Sequence, residues 1–154
     1  HYIKNMNEKE LFKTFKIYCQ QYKKKVADKF EKKMINSIHF LKNKAKSLED
    51  IYNNAKYIIA DKLTFDPEDL NLIDDKSKKI IASYYKKIKE SKTLDRNILE
   101  KHLKELMNTY QTNFKGIGQP MRIVLTGSKF GPGIYDIILS LEKEEVQKRL
   151  NKFI

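Results

Sequence analysis

One cysteine, three prolines and five glycines are all that 154 residues contain of these types, and each scarcity narrows what the chain can be. With Cys19 alone, no internal disulfide can form, and a reducing compartment, the cytoplasm, is the expected setting. No apolar run approaches the ~20 residues of a membrane-spanning helix, so no membrane partner is expected. The opening "HYIKNMNEKEL" has no signal-peptide core. It also lacks an initiator methionine, and a piece of something longer is the expectation. His1, His39 and His102 show no metal-ligand spacing and Cys19 has no partner cysteine, so no metal is expected. His39, beside Ile38 and Phe40, and His102, beside an apolar stripe, read as satisfied structural histidines. The adjacent acids Asp74-Asp75 and Glu144-Glu145 have no partner that would mark general acid–base work. No catalytic set is found.

Acidic residues are in deficit too, 20 against 32 Lys and Arg, for a net charge of +12. The excess is uneven: +8 over residues 1–60, +1 over 61–114 and +3 over 115–154. Such a balance favours a polyanionic partner, nucleic acid ahead of an acidic membrane surface. The plainer alternative is that lysine serves solubility, and "KKK" at 23–25 reads as a solvated face. What is plentiful is apolar, at 40% of the chain, enough for one domain or two small ones.

Apolar residues recur with helical spacing nearly throughout. Leu11, Phe15, Tyr18 and Tyr22 form a first stripe, with Asn7 as N-cap and Glu10 as its box partner. Ala27, Phe30, Met34, Ile38, Leu41 and Ala45 form a second. Leu48, Ile51, Ala55, Ile58 and Ile59 form a third, opened by Ser47. The segment "LTFDPEDLNLIDD" interrupts the pattern. Asp66 before Pro67 signals a helix start, and the pooled acids suggest a boundary. Ile80, Ile81, Tyr84 and Ile88 mark a fourth helix. Ile98, Leu99, Leu103, Leu106 and Tyr110 mark a fifth, capped by Thr93 or Asp95, and "NFKGIGQP" then reads as a loop. No strand-like alternation appears. The expected class is all-α, as two small helical subdomains, residues 1–66 and 67–154.

Three of the five glycines fall within 127–133, in "RIVLTGSKFGPGIYDIIL". A phosphate-binding loop requires G-x-x-x-x-G-K-[ST]. Gly127 and Gly131 are too close for it, and Pro132 stands where its lysine belongs. A dinucleotide fingerprint fails because Gly131-Pro132-Gly133 is followed by Ile-Tyr rather than a third glycine. A helix start fits better, with Pro132 at the first helical position and first-turn amides open to an acceptor. Pro120 similarly suits the start of a helix through Leu125 that Gly127 ends.

The tail "QPMRIVLTGSKFGPGIYDIILSLEKEEVQKRLNKFI" resembles the C-terminal end of bacterial glutamyl-tRNA synthetases. That family closes on an R-x-x-L-T-G core, a Gly-Pro or Thr-Pro corner and a final helix ending in "RL". The matching residues are Arg122, Leu125, Thr126, Gly127, Pro132, Gly133, Arg149 and Leu150. "LEDIYNNAKYII" at 48–59 is similar to a segment of the family's fourth domain. The opening looks like the start of that domain, just past the catalytic part. The likeness is specific over the last 36 residues, weaker at 48–59 and thin through 67–110.

The resemblance implies an all-helical anticodon-binding region of a class I aminoacyl-tRNA synthetase. Neither His-Ile-Gly-His-like nor Lys-Met-Ser-Lys-Ser-like catalytic motifs occur, so the chain is expected to bind tRNA and not to aminoacylate it. ATP and Mg²⁺ are expected only for the full-length enzyme. Anticodon contacts of the family map onto Arg122, Gly131, Pro132 and Ile134. Where some relatives carry Thr before the corner proline this chain has Gly131, which removes a hydroxyl contact. Where glutamate-specific readers have an Arg inspecting the third anticodon base, alignment places Lys44, which keeps the charge and loses the bidentate fork. Glutamate tRNA is the implied partner, with glutamine tRNA as a possible second, and a monomer is expected. Lys42, Lys44 and Lys46 are the candidates for phosphate contacts. Two rivals stand beside this reading: a stand-alone basic helical module that binds structured RNA without sequence preference, and a helical protein-interaction domain.

Overall fold

The computed structural model describes residues 2–22, 24, 31–42, 45–59, 63–129 and 131–154. Helices dominate, and no strand occurs among the described residues, as the periodicity predicts. The chain divides into two compact units, His1–Lys62 and Leu63–Ile154. Residues 63–66 belong with the second: the Asp66 amide donates to the Gly127 carbonyl at 2.9 Å, and Phe65 meets Phe153 edge-on at 5.6 Å between ring centres.

The first unit contains α1 (Tyr2–Asn5), α2 (Glu8–Gln21), α3 (Glu31–Lys42) and α4 (Leu48–Ile59), with α3 packed on both α2 and α4. Asn7 caps α2 as its sequence predicts, its Oδ1 accepting from the Glu10 amide at 2.9 Å. Ser47 receives the Asp50 amide at the start of α4. Leu11, Phe15, Met34, Ile38, Leu41, Ala45, Ile51, Ala55 and Ile58 form the core. Ala27 and Phe30 of the second stripe lie outside the described residues. The first stripe closes differently from expectation. Cys19 is its buried last member, whereas Tyr22, in the turn that ends α2, is 60% exposed. His39, expected as a satisfied structural histidine, is exposed, its ring against that of Phe40.

The second unit contains α5 (Pro67–Leu70), α6 (Asp75–Glu90), α7 (Arg96–Tyr110), α8 (Phe114–Thr126) and α9 (Ile134–Asn151). Asp66, Asp74 and Asp95 cap α5, α6 and α7 by accepting first-turn amides, so Asp95 rather than Thr93 starts α7. Ile80, Ile81, Tyr84, Ile88, Leu99, Leu103 and Leu106 are all buried as predicted. Burial of such a side chain is worth about 1.5–3 kcal/mol. His102 is buried, its Nε2 3.2 Å from Ser91 Oγ, while Nδ1 has no hydrogen-bond partner. Burial pushes its pKa below the ordinary histidine value.

Two expectations fail in the tail. "NFKGIGQP" is not a loop: Asn113 accepts the Gly116 amide at 2.8 Å, and α8 runs from Phe114, with Pro120 inside it. An interior proline costs ~3 kcal/mol by removing one backbone bond. Ile117, Pro120, Met121 and Val124 share one helical face and are all buried, which outweighs that loss. The final helix also starts later than expected. Pro132 precedes the N-cap Gly133, and Ile134 is the first helical residue. α9 is broken at Glu142, whose φ of 69° and ψ of 162° are non-helical.

Candidate nucleic-acid interface

The segment between α8 and α9 is built by the motif residues themselves. Gly127 ends α8 at φ +91°, donating to the Ile123 carbonyl at 2.7 Å. A Cβ there would lie 2.1 Å from the Thr64 carbonyl oxygen, so the position excludes side chains twice over. The Thr126 hydroxyl lies 2.8 Å from the Arg122 carbonyl and 3.0 Å from that of Ser128. Leu125 is core, and its carbonyl, left without a helical partner at the end of α8, accepts from Arg149 Nη1 at 2.6 Å. Glu145 pairs with the same guanidinium at 3.4 Å.

Asp69 supports this loop from α5. Only 4% exposed, its Oδ2 accepts the Lys129 amide at 3.0 Å and the Ser128 hydroxyl at 3.3 Å, and Lys129 Nζ lies 3.9 Å from Oδ1. In the sequence Asp69 stands among the pooled acids of the boundary segment "LTFDPEDLNLIDD". Its place three residues after the cap Asp66 looks like ordinary first-turn charge, and only the tertiary contact sets it apart.

Arg122, half-buried, reaches from α8 into the loop, donating from Nε to the Pro132 carbonyl at 3.1 Å and from Nη1 to the Lys129 carbonyl at 3.2 Å. Desolvation lowers its pKa from the ordinary arginine value, and a guanidinium remains charged at neutral pH all the same. The arginine therefore organises the corner with two of its five donors. Gly131 is exposed, at φ +139° with nothing within 4 Å of where a Cβ would stand. A threonine would strain that backbone, so the missing hydroxyl and the glycine conformation go together. Pro132 is buried, and Ile134 is 1% exposed. What Ile134 can offer a ligand is its backbone amide, in a first turn whose N-cap Gly133 supplies no side-chain bond.

Arg122, Gly131, Pro132 and Ile134 thus come together in one corner. Beside it Tyr135 lies edge-on to Phe114, ring centres 6.0 Å apart, and the Arg96 guanidinium sits 5.3 Å from the Tyr135 ring while pairing with Asp136 at 2.7 Å. The lysine candidates belong to the first unit. Lys42 is engaged, donating to the Met6 carbonyl at 3.3 Å and to Glu8 Oε1 at 3.1 Å. Lys46 is exposed, its backbone amide bound to Asp50. Lys44 lies outside the described residues. No cluster of metal-ligating side chains occurs among the described residues, and no helix there is long and apolar enough to cross a membrane.

Comparison with known proteins agrees with this architecture. A family model described as an anticodon binding domain matches residues 6–154. The glutamate–tRNA ligase of Pelagibacter ubique (strain HTCC1062) is 56% identical over 155 residues, covering 100% of this chain and 33% of that protein. Glutamate–tRNA ligase 1 of Bartonella bacilliformis is 26% identical over 161 residues, covering 100% and 34%. The crystal structure of a glutamate tRNA ligase from Elizabethkingia meningosepticum in complex with its amino acid has a TM-score of 0.78 at 21% identity, covering 99% of this chain and 30% of that one. That last likeness is one of fold. The chain spans about a third of the length of the curated relatives it matches.

Proposed function

Because the chain belongs to the anticodon-binding domain family, we propose that it is the tRNA-binding part of a glutamate–tRNA ligase and reads the anticodon of glutamate tRNA at the corner between α8 and α9. The corner's construction supports this most directly. Arg122 is held by two loop carbonyls beside an exposed glycine and a helix start whose first-turn amides have no side-chain cap. Unstacked bases are recognised on their edges by such donors, and a backbone free of side chains lets a base approach. In this reading Arg122 fixes the corner and turns its remaining donors to a base edge or phosphate. Gly131 and Pro132 shape the approach, and Ile134 contributes its amide.

Lys44 inspects the third anticodon base without a bidentate fork, which opens the parent enzyme to glutamine tRNA. Lys46, and Lys42 once released from Glu8, contact phosphates. The parent enzyme ligates glutamate with ATP and Mg²⁺ on its remaining part, in the cytoplasm and as a monomer. The chain alone binds more weakly than the parent, because linkage to the other contacts is lost.

The test is binding of the chain to a glutamate-tRNA transcript and to the same transcript with its anticodon replaced, at two salt concentrations, with Arg122→Ala alongside. The reading expects at least tenfold tighter binding to the native anticodon, a difference that survives added salt and disappears in Arg122→Ala. Equal binding to both RNAs, falling steeply with salt, would leave only a phosphate-binding surface.

A further inference from the structure

Phe114 is the only exposed phenylalanine among the described residues, at 44%. Scattered exposed apolar side chains are common and call for no explanation. This one is held in place. It is the first residue of α8, and its ring lies against Gly118 one turn on, where a Cβ would stand 3.6 Å from Phe114 Cε1. Tyr135 meets it edge-on. Tyr135 is itself covered by the Arg96 guanidinium, which Asp136 holds at 2.7 Å. Tyr135 directly follows Ile134, so the aromatic pair borders the corner.

We propose that Phe114 is a stacking platform for one unpaired base of an RNA loop, with Tyr135 and Arg96 as its supporting wall. The proposal rests on the tRNA-binding reading above and extends it to a site that reads no base edge. A π face accepts any base, so the platform supplies affinity without selecting sequence. Its ring is already positioned by Gly118 and Tyr135, so little side-chain freedom remains to be lost on binding. The nearby cation at Arg96 attracts the phosphates that flank a splayed base. The division of labour is then physical: the corner donors discriminate, and the neighbouring ring holds.

The chain contains no tryptophan, so Phe114→Trp places a single indole reporter on the platform. Titrated with an RNA hairpin carrying the anticodon loop, this variant should show its fluorescence quenched by a stacked base. Phe114→Leu, which keeps apolar bulk and lacks a π face, should bind both native and anticodon-replaced hairpins about tenfold more weakly. Its salt slope should be unchanged, because no phosphate contact is lost. Unaltered affinity of Phe114→Leu, or an unquenched indole in a complex that forms, would overturn the platform. If native and replaced anticodons bind alike while Phe114→Leu still weakens both, the anticodon reading fails and the platform stands.

Discussion

Gly127→Ala and Gly131→Ala are the same chemical change in the same loop, and they should differ in cost. Both positions have positive φ, +91° and +139°, a backbone that an L-residue adopts only under strain, at about 1–3 kcal/mol. At Gly131 that is the whole cost, because nothing lies within 4 Å of the added carbon. At Gly127 the new Cβ would stand 2.1 Å from the Thr64 carbonyl oxygen, and a backbone atom cannot swing aside as a side chain can. The segment 64–66 must move away, which loosens the 2.9 Å bond from the Asp66 amide to the Gly127 carbonyl and disturbs the cap of α5. That bond is worth about 1 kcal/mol. Gly127→Ala should therefore cost about 1 kcal/mol more than Gly131→Ala, on the order of 2–4 kcal/mol in all. Urea unfolding followed by far-ultraviolet circular dichroism measures both. Equal costs would refute the close approach of Thr64, and a cost below about 0.5 kcal/mol at either site would refute the positive φ there.

Three further outcomes follow from the same geometry. Arg149→Met removes the buried donor to the Leu125 carbonyl and should destabilise the chain by about 1–3 kcal/mol in the same unfolding assay. Glu142→Gly relieves a non-glycine residue at φ 69°, ψ 162° and should raise stability by about 1 kcal/mol, read as a higher urea midpoint. His102 has a folded pKa lowered chiefly by burial, so the unfolded chain takes up its proton first as pH falls. Its contribution is present above the unfolded value of about 6.5 and is lost as pH falls toward the folded value. Thermal unfolding between pH 7 and 5 should therefore fall less steeply in His102→Gln than in the wild type.

The helices were legible wherever local chemistry fixes them. Asn7, Asp66 and Asp95 announce helix starts because a short acceptor side chain satisfies first-turn amides a few residues ahead. Asn113 does the same, yet Gly116, Gly118 and Pro120 just after it favour a loop on propensity alone, and burial of Ile117, Met121 and Val124 decides the other way. The break at Glu142 has neither Gly nor Pro to mark it. At the corner, the residue identities of R-x-x-L-T-G stood out, but their duties did not. Arg122 and Arg149 bind backbone carbonyls, which carry no sequence signature. Asp69 finds its partners at Ser128 and Lys129, far along the chain, where one more acid among several gives no warning.

The central claim is that the anticodon docks at the corner between α8 and α9. Its most direct test is an amide-resolved NMR titration of the 154-residue chain with the anticodon hairpin of glutamate tRNA and with the anticodon-replaced hairpin. The account predicts that amides of Gly131, Gly133, Ile134 and Tyr135 shift strongly with the native loop and weakly with the replaced one. Shifts spread over the lysine-rich first unit, identical for both RNAs and absent from the corner, would contradict it.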